Sequence, residues 1–294
     1  MAKELRPLNG KVVAITGGAR GIGKATAEAL VAQGCRVAIG DLDLGLAEES
    51  AAAMGGGTVA LELDVTDRES FASFLDEAER QAGPLDVVVN NAGIMPLGQL
   101  VDESDETARR LIDINLHGVI FGTKLALERF LGRGHGNIVN IASQAGKGGI
   151  PGGATYCATK HAVVGLSEAV RAEVDGTAIE VHCVMPAVVN TELGSGLADV
   201  KGVKKSAPSD VADAIVEALQ TGRFDVWVPA SSKAISMALS LMPQRGRDAI
   251  ARFFGADKVL AEPDEAARAA YEQRAARSEP GLEPEKVAGG GDSD

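Results

Sequence analysis

Seven short runs rich in Val and Ile punctuate the chain at 12–16, 36–40, 58–63, 86–90, 137–141, 180–184 and 225–228. Each is four to six residues long, the pattern of a strand buried on both faces. Between them lie stretches of helical periodicity at 23–33, 44–54, 68–82, 105–131, 154–174 and 209–219, with Asp67 and Ser209 placed as N-caps. This alternation allows little besides an α/β fold: a doubly wound parallel sheet of seven strands joined by helical crossovers. The chain's 294 residues admit one large unit of this kind or two small domains. The strands extend across 8–229, which reads as one Rossmann-type catalytic domain. Residues 230–260 read as a helical extension serving as a lid or an interface, and 261–294 as an acidic, partly disordered tail.

Composition removes several function classes. Only 3% of residues are aromatic and the formal net charge is -12, which argues against nucleic-acid binding. Three scattered cysteines, Cys35, Cys157 and Cys183, suit neither a disulfide framework nor a metal cage. No apolar run approaches the roughly 20 residues of a membrane-spanning helix, and none precedes Lys11 as a secretory signal, so the cytoplasm is the expected compartment.

The first strand leads directly into TGGARGIG, residues 16–23, and then into a helix. Gly17, Gly21 and Gly23 permit a tight turn and close approach of backbone to a pyrophosphate, which the helix N-terminus attracts. Asp41 ends the second strand, 18 positions past Gly23. A carboxylate there accepts hydrogen bonds from ribose hydroxyls and repels a 2′-phosphate, which favours NAD over NADP. Arg20 is the counter-signal, because a guanidinium in the turn can pair with that phosphate.

The turn resembles the cofactor site of the short-chain dehydrogenase/reductase family, and further matches follow in the family's order across roughly residues 8–228. These are Asp64-Val65, Asn90-Asn91-Ala92-Gly93, Asn115, Ser143 and Tyr156-x-x-x-Lys160. The resemblance implies that Gly17, Arg20, Gly21, Ile22 and Gly23 cradle the cofactor and that Asp64 and Val65 contact the adenine. It places Asn91, Ala92 and Gly93 on the adenine-ribose side, and Pro186, Val189 and Thr191 near the nicotinamide. Ala187 stands where the family usually has Gly. A homotetramer or homodimer is implied as well.

Tyr156 and Lys160 lie four apart, on one face of a helix. Oxidising a carbinol needs a base, and a neighbouring ammonium lowers a phenol's pKa toward working pH. Ser143 closes the fifth strand, where its hydroxyl can hold the substrate oxygen. Asn115 falls inside a helical stretch where Asn is poorly suited, so it faces solvent or the helix is bent. The resemblance implies the bend, with Asn115 completing a catalytic tetrad with Ser143, Tyr156 and Lys160. Cys157 reads as packing, and His161 and His182 lack a role.

Residues 192–207 read as a mobile lid and 146–153 as a second flexible wall, with Ile150, Met95, Pro96 and Leu97 nearby. No Arg or His stands out as an anion anchor, which points to an apolar alcohol or ketone of steroid, retinoid or lipid type. Residues 230–254 combine apolar positions with Arg245, Arg247 and Arg252, so peripheral membrane contact is a weaker alternative to a pocket cap or interface. Two other functions compete with an NAD-dependent dehydrogenase. An NADPH-dependent 3-oxoacyl reductase conflicts with Asp41, and a non-catalytic dinucleotide-binding regulator conflicts with the intact Tyr156–Lys160 pair.

Overall fold

The computed structural model describes residues 5–198 and 205–277. Its seven strands are β1 (Val12–Thr16), β2 (Arg36–Asp41), β3 (Val59–Glu62), β4 (Val87–Asn90), β5 (His135–Ile141), β6 (Ala178–Pro186) and β7 (Asp225–Val228). They form one sheet in the order β3-β2-β1-β4-β5-β6-β7, with every pairing parallel. The order reverses between β1 and β4, so the crossovers leave a crevice at their carboxyl ends, where open α/β sheets bind ligands.

Strand residues alternate between two apolar layers, which is why nearly every strand position is hydrophobic. Val13, Ile15, Val37 and Ile39 pack toward helices α1 (Gly21–Ala32) and α7 (Pro208–Thr221). Val12, Ala14, Val88 and Ile138 face Phe71, Phe74 and Phe130 on α3 (Arg68–Ala82) and α5 (Gly118–Arg133). Helix α2 (Leu44–Met54) covers the edge beside β2 and β3.

Two helix boundaries differ from the sequence reading. The stretch 105–131 is not one helix: α4 (Asp105–Ile112) passes through a π turn at Asp113–His117 into α5. Asp67 does cap α3, accepting from the Glu69 amide at 2.9 Å. Ser209, however, is inside α7, whose first residue is Pro208. The Asp210 carboxylate accepts from the Ala207 amide at 2.7 Å. Proline takes the first helical position because its missing N–H is an orphan there anyway.

The C-terminal extension splits at Pro243 into α8 (Ser232–Ser240) and α9 (Gln244–Phe254). Ile235, Met237, Leu241 and Phe253 are exposed on this pair. Among the described residues no helix is long and apolar enough to cross a membrane. A further helix, α10 (Glu265–Arg277), occupies the start of the segment read as an acidic tail. The disorder expected of the last residues, and the middle of the expected lid at 199–204, lie outside the described residues.

Candidate active site

The cleft begins where β1 ends. Gly17 and Gly21 adopt φ of +64° and +55°, which only glycine takes without cost. A Cβ on Gly23 would stand 2.1 Å from the Gly17 carbonyl oxygen, so the helix start can pack this closely only without a side chain. Thr16 Oγ1 accepts from the amides of Asn91 and Ala92, both at 3.0 Å. The Asn91 side-chain amide donates to the carbonyls of Thr16 and Gly17 at 2.9 and 3.0 Å. Asn91 therefore ties the β4 terminus to the glycine turn, while Ala92 and Gly93 present backbone to the cleft beside Arg20 and Ile22.

Asp41 sits at the rim of this turn. Its carboxylate accepts from the amides of Ala19 and Asp43 at 3.1 and 3.2 Å. Burial, the largest influence, raises its pKa, and these two hydrogen bonds oppose the rise. Arg20 is not an open phosphate clamp: it pairs with Asp43 at 2.8 Å and with Glu192 at 3.5 Å. Asp43, which sequence reasoning passed over, thus adds a second carboxylate beside Asp41 and occupies the guanidinium. Asp64 Oδ1 accepts from Thr66 through its amide and hydroxyl, at 2.8 and 2.7 Å, shaping the turn that carries Val65 into the cleft wall.

Helix α6 (Ala154–Glu173) brings Tyr156 and Lys160 to the same cleft, both buried. The Lys160 ammonium donates to the Ile141 carbonyl at 2.9 Å and lies 5.8 Å from the centre of the Tyr156 ring. Burial pushes the Tyr156 hydroxyl up to about 12, with a hydrogen bond to Ser143 acting in the opposite direction. Burial also pushes Lys160 down to about 8. The sequence expectation of a phenol lowered by its lysine is not met in this cleft, where desolvation raises it. Ser143 serves in addition as a cap, its Oγ accepting from the Ala145 amide at 3.1 Å at the start of a 3-10 turn, Gln144–Gly146.

Asn115 lies on the π turn and is fully buried. Its amide donates to the Ile94 carbonyl and accepts from the Ile94 N–H, each at 2.8 Å. The bend therefore clamps the loop after β4, and Gly93 is the neighbour of both Asn115 and Lys160. A Cβ on Gly93 would approach their Oδ1 and Nζ to 3.1 and 3.7 Å. At the other end, Pro186 closes β6, and Ala187 holds the following turn by donating to the Val228 carbonyl at 2.8 Å. Val189 bridges to Ser206, and Thr191 lines the cleft opposite Gly21.

Around Tyr156 the wall is apolar: Met95, Leu97, Ile150, Leu193, Leu197 and Leu260. Arg110 and Arg274 reach the rim, and both are engaged, Arg110 with Glu106 and Arg274 with Glu192. Cys157 packs in this same cluster. His182 is buried between the Arg223 carbonyl and Asn137, away from the cleft. Sequence reasoning missed Arg268 and Tyr271 of α10. The Arg268 guanidinium, 1% exposed, donates to the carbonyls of Met95, Leu193 and Ser195 and to Glu272. Tyr271 accepts from the Met95 amide at 2.6 Å. No metal-holding group of His, Cys, Asp or Glu occurs among the described residues.

Residues 11–201 match the family model described as short chain dehydrogenase. Sorbitol dehydrogenase of Cereibacter sphaeroides is 39% identical, over 65% of this chain and 75% of its own. D-threitol dehydrogenase of Mycolicibacterium smegmatis is 34% identical, over 86% of this chain and 92% of its own. A crystal structure of a short chain dehydrogenase/reductase from Burkholderia phymatum in complex with NAD shares the fold at a TM-score of 0.73 and 25% identity. It covers 79% of this chain, and 94% of that chain is matched. Sheet order, glycine turn and sequence agree, and the chain belongs to the short-chain dehydrogenase family.

Proposed function

We propose that the chain is an NAD-dependent dehydrogenase interconverting a carbinol with its ketone or aldehyde. The observation that carries this reading is the convergence of Ser143, Tyr156 and Lys160 on the cleft that also holds the glycine turn and Asp41. Gly17 to Gly23 would hold the pyrophosphate and Asp41 the adenosine ribose, and the relative solved with NAD supports that choice. Asp43 beside Asp41 adds to the repulsion of a 2′-phosphate. When bound, the nicotinamide supplies the hydride acceptor.

Tyr156 takes the substrate's hydroxyl proton, and the Ser143 hydroxyl steadies the substrate oxygen. The buried phenol resists ionising, so the Lys160 ammonium beside its ring offsets part of the cost of a phenolate. Asn115 acts at one remove, by fixing the Ile94 peptide and the bend that faces Lys160. Excluding water is the task of the apolar wall, which strengthens each of these polar interactions.

The wall around Tyr156 favours a substrate with an apolar carbon skeleton. A second reading, a polyol, is favoured by the relatives named sorbitol and D-threitol dehydrogenase. NADH formation followed at alkaline pH over a panel of apolar secondary alcohols and C4–C6 polyols separates the two. Tyr156→Phe is expected to lower turnover at least about a thousandfold while changing NAD affinity little. Substantial residual turnover with the best substrate overturns the role of Tyr156, and stronger binding of NADP than NAD overturns the role of Asp41.

A further inference from the structure

The two tyrosines of the chain, 115 positions apart in sequence, line the same cleft. Tyr156 is accounted for by the chemistry above, whereas Tyr271 is contributed by α10. Its hydroxyl oxygen accepts from the Met95 amide, and among the described residues no acceptor is recorded for its proton. The ring is fixed by the Arg268 guanidinium 4.9 Å above it, and that guanidinium also bonds the Met95 carbonyl. The Met95 peptide is thus held on both its N–H and its C=O sides by one helix, leaving the phenol no freedom to turn away. Burial, the largest cause, raises the Tyr271 pKa. Tyr271 is therefore a protonated donor at any working pH.

An oriented donor set among the apolar side chains around Tyr156 is a means by which a pocket reads one substrate oxygen. We propose that Tyr271 is a specificity-determining residue, whose O–H donates to a second oxygen of the substrate, a hydroxyl or ether carried beyond the carbinol that Tyr156 deprotonates. Arg268 is its positioning residue. The substrate class is then an oxygenated secondary alcohol, neither a plain hydrocarbon alcohol nor an anion. This assignment rests on the dehydrogenase reading above and deepens it.

The test compares alcohols of one skeleton, 2,3-butanediol and 2-butanol, in the wild-type enzyme and in Tyr271→Phe, which keeps the ring and its stacking. The ratio of kcat/KM for the diol to that for the mono-alcohol is expected to fall about tenfold in the variant. A purely structural role for the hydroxyl lowers both substrates together, and an unchanged ratio overturns the proposal. A second comparison needs no variant. The wild-type enzyme is expected to prefer 3-methoxy-2-butanol, which keeps the acceptor oxygen, over 3-methyl-2-pentanol, in which a methylene replaces it. Equal kcat/KM for that pair overturns the proposal as well. A wild-type protein that reduces NAD with none of these four alcohols nor any of the wider panel above overturns the dehydrogenase reading, and this one with it, whereas turnover without discrimination overturns this one alone.

Discussion

At Tyr156 and Lys160 one physical cause, removal from water, acts on both partners of the pair. It holds the phenol up to about 12 and the ammonium down to about 8, so each resists becoming charged. The pH dependence of stability exposes this. Below pH 8 Lys160 is charged in both the folded and unfolded chains, and its burial cost is present in full. Between 8 and its ordinary 10.5, the unfolded chain binds a proton that the native one has released, so the native state gains as pH rises. Tyr156 opposes this only above its ordinary 10, where the unfolded phenol ionises first. Urea unfolding at pH 7.5 and 9.5 is therefore expected to show the wild type gaining about 2 kcal/mol on Lys160→Met over that interval. Parallel behaviour of the two proteins would contradict the depressed lysine. That the two share one face of α6 was legible from their spacing. The sign of the balance was not, because desolvation depends on how completely α6 is covered.

At the scale of the element, α10 decides how the substrate side of the cleft is built. Arg268 ties the loop after β4, through Met95, to the segment after β6, through Leu193 and Ser195, while Asp264 donates to the Gly196 carbonyl at 2.8 Å. Substituting Arg268→Met keeps much of the length but leaves three carbonyls and the Glu272 carboxylate without their donor. The expected cost is about 3 kcal/mol, felt as faster amide exchange at 193–197 and 264–275 with β1 and β4 unaffected. Uniformly faster exchange across the sheet would show that α10 is part of the global core instead. This helix was not legible as a wall. Its sequence, EAARAAYEQRAAR, is rich in charge and alanine and reads as solvated, and guanidinium bonds to the carbonyls of Met95, Leu193 and Ser195 leave no distant partner side chain in the sequence to find. The bend at Asn115 was half legible: Asn is out of place in a helix, while the clamp on Ile94 needed the loop brought alongside.

Across the whole molecule, all three cysteines are free and buried, Cys35 in a layer of the sheet, Cys157 in the cluster around Tyr156 and Cys183 beside Val163 and Met185. Burial raises the thiol pKa of Cys35 to about 11 and of Cys183 to about 12, and raises that of Cys157 as well. None is expected to react with Ellman's reagent at pH 8 while the protein is folded, and all three are expected to react in 8 M urea. A thiol that titrates within minutes in the native protein would mark a layer that opens without global unfolding. Strand identity, the parallel direction of the strands and the place of the glycine turn were set by the sequence alone. They rest on local signals: apolar runs with a fixed period, and glycines where no side chain fits. The character of the wall around Tyr156, the engagement of Arg20 by Asp43 and the arrival of Tyr271 in the same cleft as Tyr156 were decided only by the tertiary structure. Each depends on which distant segments meet and how much water they exclude, and neither quantity is written in the spacing of residues along the chain.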